Sequence, residues 1–253
     1  MPILGHEWIE SRFMYRNAYI LTRERERPSS LETGQSEILF LHGKYGDFNQ
    51  WQILSDRLGE RSVYKMLELP GLGHSACLES HHLSFHEYIE LTVELYKAAR
   101  SPFSRRVIIG HDFGALIAQL AAVQLSRLEN PISVDLILIS PCSFEQFELR
   151  RLFKLLRPAS RQLLSRIRES WPGPLERIAW TRMMKQYPGS LLLLRGSEDP
   201  LSSDLCIHEI LSVYRDVEYF ESLKGGKWPL LDDTEWIAEK MQNFLFRMQA
   251  KAS

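Results

Sequence analysis

Four stretches of this chain are apolar without interruption: Ile38 to Leu41, Val107 to Ile109, Leu136 to Ile139 and Leu191 to Leu194. Gly, Pro, Ser or charged residues bound each of them. Continuous runs of this length predict strands covered on both faces, as in a parallel sheet. Val63 to Leu69 is a similar run, and Val217 to Phe220 predicts a last, more polar strand. Trp8 to Tyr15 and Ala18 to Thr22 read as an opening hairpin joined near Asn17. Helical patterning fills the intervals, at about 48–60, 83–100, 113–128, 203–214 and 233–249. In the third of these, Leu116, Ala118, Leu120, Ala121, Val123 and Leu125 make a largely apolar surface. Alternation of strand and helix predicts an α/β domain with a doubly wound, mostly parallel eight-stranded sheet and helices on both faces.

The alternation breaks once. Between Ser140 and Ser190 no strand pattern occurs, and Pro158, Pro172, Pro174 and Pro188 punctuate short helical stretches. An insertion at the carboxyl edge of a parallel sheet lies where ligands bind. The expected organisation is a core of residues 1–141 and 190–253 with a helical cap at 142–189.

Composition narrows the class of function. Hydrophobic residues are 44% and charged residues 25% of the chain, which suits one globular domain. A net charge of −1 gives the whole molecule no electrostatic reason to seek nucleic acid. The three cysteines, Cys77, Cys142 and Cys206, are dispersed and form neither a disulfide framework nor a metal-ligand spacing. The first residues, with Glu7, Glu10 and Arg12, lack the apolar stretch of a signal peptide. No run approaches the roughly 18 apolar residues of a transmembrane span. The expectation is a cytoplasmic protein without metal or other cofactor.

The chemistry concentrates in loops that follow strands. Gly110-His111-Asp112-Phe113-Gly114 sits between a strand and a helix. Glycines on both sides allow a sharp turn that lifts the central side chain above the sheet at a helix N-terminus. A carboxylate so placed can attack as a nucleophile and form an ester intermediate. The competing reading is an Asp that caps the helix. Leu41-His42-Gly43-Lys44 follows another strand. Further on come Glu68-Leu69-Pro70-Gly71-Leu72-Gly73-His74-Ser75, Arg195-Gly196-Ser197-Glu198-Asp199-Pro200 and Gly225-Gly226-Lys227-Trp228-Pro229-Leu230-Leu231-Asp232-Asp233.

In order and spacing these five motifs resemble the α/β-hydrolase superfamily over nearly the whole chain. The resemblance implies that fold, with Asp112 at the nucleophile elbow, Asp199 as the triad acid and Lys227 at the position of the catalytic histidine. It implies an oxyanion pocket at Gly43, with backbone N–H donors at Lys44 and Phe113, and a small-molecule ligand under the cap. Trp228 and Trp180 are packing candidates, and Trp180 is also a candidate to line the cap cavity. Members with Gly-His-Asp at the elbow are mostly haloalkane dehalogenases and epoxide hydrolases. This chain departs from both: Phe113 stands where those dehalogenases often place a halide-binding Trp, and Tyr187 is the sole tyrosine of the cap.

Lys227 is the larger departure. A histidine there activates water to hydrolyse the ester intermediate. A lysine near its reference pKa of about 10.4 holds its proton at pH 7 and cannot accept another. The resemblance therefore implies a buried carboxylate–ammonium–carboxylate cluster of Asp112, Lys227 and Asp199. Three outcomes are open: a degenerate site that binds a ligand or partner, hydrolysis with another base (His208 and His74 are candidates), or chemistry with Lys227 as an amine nucleophile.

Residues 150–185 hold ten Lys and Arg (among them Arg166, Arg168, Arg182 and Lys185) against Glu169 and Glu176, a net of +8, so the remainder carries −9. Apolar residues interleave with these charges. Either the face is merely solvated, or it meets an anionic partner: an acidic protein, an anionic lipid surface or a phosphorylated ligand. His82 and His86 have i, i+4 spacing but no accompanying third ligand, so a solvated face is expected there rather than a metal site.

Overall fold

In a computed structural model of the chain, the described residues are 8–16, 18–25, 36–43, 46, 48–58, 62–72, 83–98, 105–142, 165–199, 202–226 and 229–252. Eight strands form one sheet: β1 (Ile9–Tyr15), β2 (Ala18–Arg25), β3 (Ser36–Leu41), β4 (Ser62–Leu67), β5 (Arg105–His111), β6 (Asp135–Ile139), β7 (Leu191–Gly196) and β8 (Val217–Ser222). Their order is β1-β2-β4-β3-β5-β6-β7-β8. From β4 to β8 every pairing is parallel, while β2 runs antiparallel to both β1 and β4. The helices are α1 (Asn49–Leu58), α2 (Phe85–Ala98), α3 (Phe113–Leu125), α4 (Pro174–Met184), α5 (Asp204–Val213), α6 (Pro229–Asp232) and α7 (Thr234–Ala252).

Strand alternation divides the core in two. Leu39, Leu41, Ile108, Leu136, Leu138, Leu191 and Leu193 face the cluster built by α2, α3 and α5. Ile38, Phe40, Val107, Ile109, Ile137, Ile139, Leu192 and Leu194 face the cluster built by α1, α6 and α7. Helices thus cover both faces, which is why these strands contain no polar alternation. β3 and β7 are buried along their whole length.

The amino-terminal ends of the strands are tied by charge. Glu37 is 1% exposed; its carboxylate lies 3.0 Å from Lys65 Nζ on β4 and 3.4 Å from Arg106 Nε on β5. Arg105 pairs with Asp135 of β6 at 2.7 Å and donates to the Leu245 carbonyl of α7 at 3.0 Å. Asp135 in turn accepts from the Ser190 N–H at 2.9 Å, ahead of β7. Charged partners at one end of the sheet leave the other end, where the loops carry the motifs, to be shaped by close backbone packing.

Between β6 and β7 the described residues contain no strand. They are helical at 165–169 and in α4, which packs on α3. Trp171 packs at a tilt against Phe85 with ring centroids 4.7 Å apart, and Ser170 Oγ accepts from the Phe85 N–H at 2.7 Å. His86 Nε2 lies 2.6 Å from Glu176 Oε1. The start of α2 and the insertion are therefore tied by three adjacent contacts. His86 is occupied by a carboxylate, while His81 and His82 lie outside the described residues. Among the described residues no helix is long and apolar enough to cross a membrane.

Replacing Glu37 by Leu removes the carboxylate that Lys65 and Arg106 share. Loss of one partner from a buried ion pair costs about 3–5 kcal/mol. Because Lys65 and Arg106 both reach solvent in part, the lower end is expected: a fall of about 3 kcal/mol in unfolding free energy, read from urea titration.

Candidate active site

A sharp strand-to-helix turn is present at Asp112, and its backbone is not that of a helix-capping residue. A capping Asp has extended backbone angles and accepts from the first turn of its helix. Asp112 instead has φ 51° and ψ −116°, and its side chain makes no capping bond. A non-glycine residue at such an angle is strained by about 1–3 kcal/mol and persists only where its surroundings impose it. The Asp112 N–H donates to the Ile139 carbonyl at 3.2 Å, and the Ala115 N–H donates to the Asp112 carbonyl at 3.1 Å.

The flanking glycines show what imposes the strain. A Cβ on Gly114 would lie 2.3 Å from the Leu41 carbonyl oxygen and 2.5 Å from that of His42. A Cβ on Gly110 would lie 2.5 Å from Ala115 Cα. Both clashes are with backbone, which cannot swing aside. On the facing loop, a Cβ on Gly43 would meet Asp112 Cβ at 2.8 Å and Asp112 Oδ2 at 3.1 Å. The β3 loop and the elbow are therefore in backbone contact, and Gly43 stands against the Asp112 carboxylate.

His42 sets the course of that loop. The Leu69 N–H donates to His42 Nε2 at 2.9 Å, so the ring proton is on Nδ1, which donates to the Gly43 carbonyl at 2.7 Å. One buried side chain thus joins the loops after β3 and β4. Cys142 Sγ approaches the Asp112 carbonyl at 3.4 Å from the end of β6, and burial pushes its thiol pKa well up. A buried thiol of this kind is a packing group rather than a reactive one. Neither His42 nor Cys142 could be assigned this part from sequence: His42 was legible only as a member of its motif, and Cys142 only as the second residue after an apolar run ending at Ser140.

Asp199 is 7% exposed, as is Asp112. It follows β7, with its N–H directed to the Gly196 carbonyl at 3.3 Å. The neighbouring loop after β8 is pressed against the same turn: a Cβ on Gly196 would lie 2.4 Å from the Gly226 carbonyl oxygen and 2.8 Å from that of Gly225. Gly226 takes φ 42°, a left-handed conformation that suits glycine. Ser222 Oγ accepts from the Gly225 N–H at 2.7 Å and donates to Asp233 at 2.6 Å, which fixes the loop's entry and exit. Lys44, Lys227 and Trp228 lie outside the described residues, as does His74. Phe113 is buried and packs edge-on to Tyr88, with centroids 5.6 Å apart. Trp180 points inward from α4, is 6% exposed, and directs Nε1 toward Glu176 Oε1 at 3.4 Å. It shares its apolar cluster with Phe113 and Leu116. Tyr187 donates its hydroxyl to the Val134 carbonyl before β6, at the opposite end of the sheet from Asp112. His208 is exposed on α5. No group of three or more His, Cys, Asp or Glu that could hold a metal occurs among the described residues.

Comparisons with known proteins agree with this fold. Residues 38–240 match the sequence pattern of the Alpha/beta hydrolase family, and the chain belongs to that family. Among solved structures it is similar to a "predicted CIB-like hydrolase" from Thermoplasma acidophilum, at 17% identity and a TM-score of 0.66, covering 95% of this chain and 99% of that one. It is also similar to the meta-cleavage product hydrolase from Pseudomonas fluorescens IP01, at 17% identity and a TM-score of 0.62, covering 90% and 95%. The thioesterase domain from the curacin biosynthetic pathway aligns at 15% identity and a TM-score of 0.65, covering 93% and 99%. No curated protein matches the sequence. At these identities the likeness is one of fold.

His111, beside Asp112, gives the site a pH signature. Burial first, and then the nearby His42, push its pKa down from the ordinary 6.5 to about 4. The unfolded chain takes up a proton between pH 6.5 and 4 that the native protein does not, so stability falls as pH drops through that window. At about 1.4 kcal/mol per unit the loss reaches about 3 kcal/mol. His111→Gln is expected to flatten this part of the stability–pH curve, measured by thermal unfolding between pH 4 and 7.

Proposed function

We propose that this α/β hydrolase has a non-standard Asp112/Asp199/Lys227 triad, binds a ligand beneath a helical cap, and does not complete hydrolytic turnover. The observation that carries this reading is the strained Asp112 backbone with no capping bond. That backbone is set by close packing on the loop after β3 and not by helix capping. Its retention supports a pocket still organised around the Asp112 carboxylate, with Gly43 against it.

Lys227 supplies the second half of the reading. A covalent intermediate on Asp112 (an ester once a haloalkane has lost halide, a mixed anhydride once an ester or thioester has lost its alcohol or thiol) is turned over by water that a base activates. A lysine between two carboxylates is held in its charged form by both, so it serves as a counter-ion and not as a base. Asp at one corner and Lys at another neutralise each other, and removing either strands a buried charge. The packing of Gly225 and Gly226 on Gly196 supports this arrangement, because it sets the described part of the loop after β8 beside the turn that leads to Asp199.

The same strained elbow favours a second reading, in which Asp112 is the nucleophile of a hydrolase acting on an ester, thioester or related bond. That reading needs a base. His208, exposed on the outside of α5, is poorly placed for a buried site.

Replacing Lys227 by His restores a neutral base. Hydrolysis of a panel of short-chain esters, thioesters and haloalkanes is expected to rise by about 100-fold or more over the parent, in line with what a positioned general base contributes. A Lys227→His protein that folds normally and gains nothing on any of these would contradict the reading.

A further inference from the structure

Helix α4 buries one side, and among the described residues no element covers the other. Trp180 and Met184 enter the core, and Glu176, Arg177, Thr181 and Met183 lie at the margins. At about 100° per residue, the opposite side gathers Leu175, Ile178, Ala179, Arg182, Lys185 and Gln186, all of them exposed. Leu175 is 84% and Ile178 50% exposed, one turn apart on the same line. Single apolar residues on a surface need no explanation, but these two share their stripe with cations. Arg166 and Arg168, just before α4, are exposed as well. Among the described residues, Arg168, Arg182 and Lys185 enter no ion pair. Arg127 reaches the end of the stripe through its bond to Gln186 at 3.3 Å. The negative charge nearby is engaged: Glu176 turns to His86 and Trp180, and Glu169 accepts from Ser165 at 2.9 Å.

We propose that this face docks on an anionic lipid surface. Bulky aliphatic residues on a convex helix, flanked by Arg and Lys, match an interfacial helix whose apolar side enters the headgroup–acyl boundary while its cations stay among the headgroups. A lipid surface accepts such a helix without shape complementarity. A folded acidic partner would need a groove fitted to Leu175 and Ile178, and the cations alone would not select one. Charge asymmetry adds orientation, because residues outside 150–185 carry a net −9 and are repelled by the surface that attracts the insertion. The proposal does not depend on the chemistry of Asp112.

The test is co-sedimentation of the full chain with phosphatidylcholine vesicles, with and without phosphatidylserine, at low and raised salt. Binding is expected only with phosphatidylserine and is expected to weaken as salt screens the cations. Leu175→Ser with Ile178→Ser, and separately Arg182→Glu with Lys185→Glu, are each expected to lower the partition coefficient at least tenfold. Far-UV circular dichroism should be unchanged, since all four side chains are exposed. Equal recovery on both vesicle types, no binding to either, or variants that bind like the parent would overturn the proposal. Retention on immobilised polyglutamate without vesicle binding would overturn it in favour of an acidic protein.

Discussion

Backbone packed on backbone holds this molecule's working end together. Gly114, in the first turn of α3, rests against the carbonyl groups of Leu41 and His42, and Gly43 rests against Asp112. No side chain can mediate an approach that close, so glycine is fixed at both places. The parallel register, with Leu41 opposite Gly110 and His111 opposite Ile139, brings the ends of β3, β5 and β6 level. The elbow then has nowhere to go but up, and Asp112 takes positive φ because its neighbours leave no other route. A second glycine contact, Gly196 against Gly225 and Gly226, repeats the device between the loops after β7 and β8. Asp199 follows one of these two packed turns.

The two ends of the sheet solve different problems. At the amino-terminal end, Glu37, Lys65, Arg106, Arg105 and Asp135 tie the strands with long charged side chains, which tolerate small shifts. At the carboxyl end, rigid backbone contact between loops is used instead. The buried, neutral His111 and the Nδ1-protonated His42 belong to that rigid end.

Much of the fold was legible in the sequence because burial on both faces erases polar alternation; β3, β6 and β7 stand out for that reason. The poorly legible parts are those held by something other than apolar burial. β2 runs on to Arg25 because Arg23, Glu24 and Arg25 pair with β4, and Arg25 forms an ion pair with Asp56; no hydrophobic pattern marks them. β5 starts at Arg105 and Arg106, whose charges are used within the sheet. The short helix α6 at Pro229–Asp232 was hidden in a loop motif. Of the site, the glycines and Asp112 could be read directly, since a two-sided glycine pattern after an apolar run has few other meanings. The inward turn of Trp180 and the commitment of Tyr187 to the far end of the sheet depend on tertiary packing that a single sequence does not encode locally.

The central claim is that a complete elbow is joined to a site with no proton acceptor for the second chemical step. Counting product against protein tests it most directly: the parent and Asp112→Asn are incubated at pH 7 with excess short-chain ester, thioester and haloalkane, and released product is expressed as equivalents per chain. The account predicts no more than one equivalent from the parent, however long the incubation. Many equivalents from the parent, lost in Asp112→Asn, would contradict it and would mean that this chain has found another base.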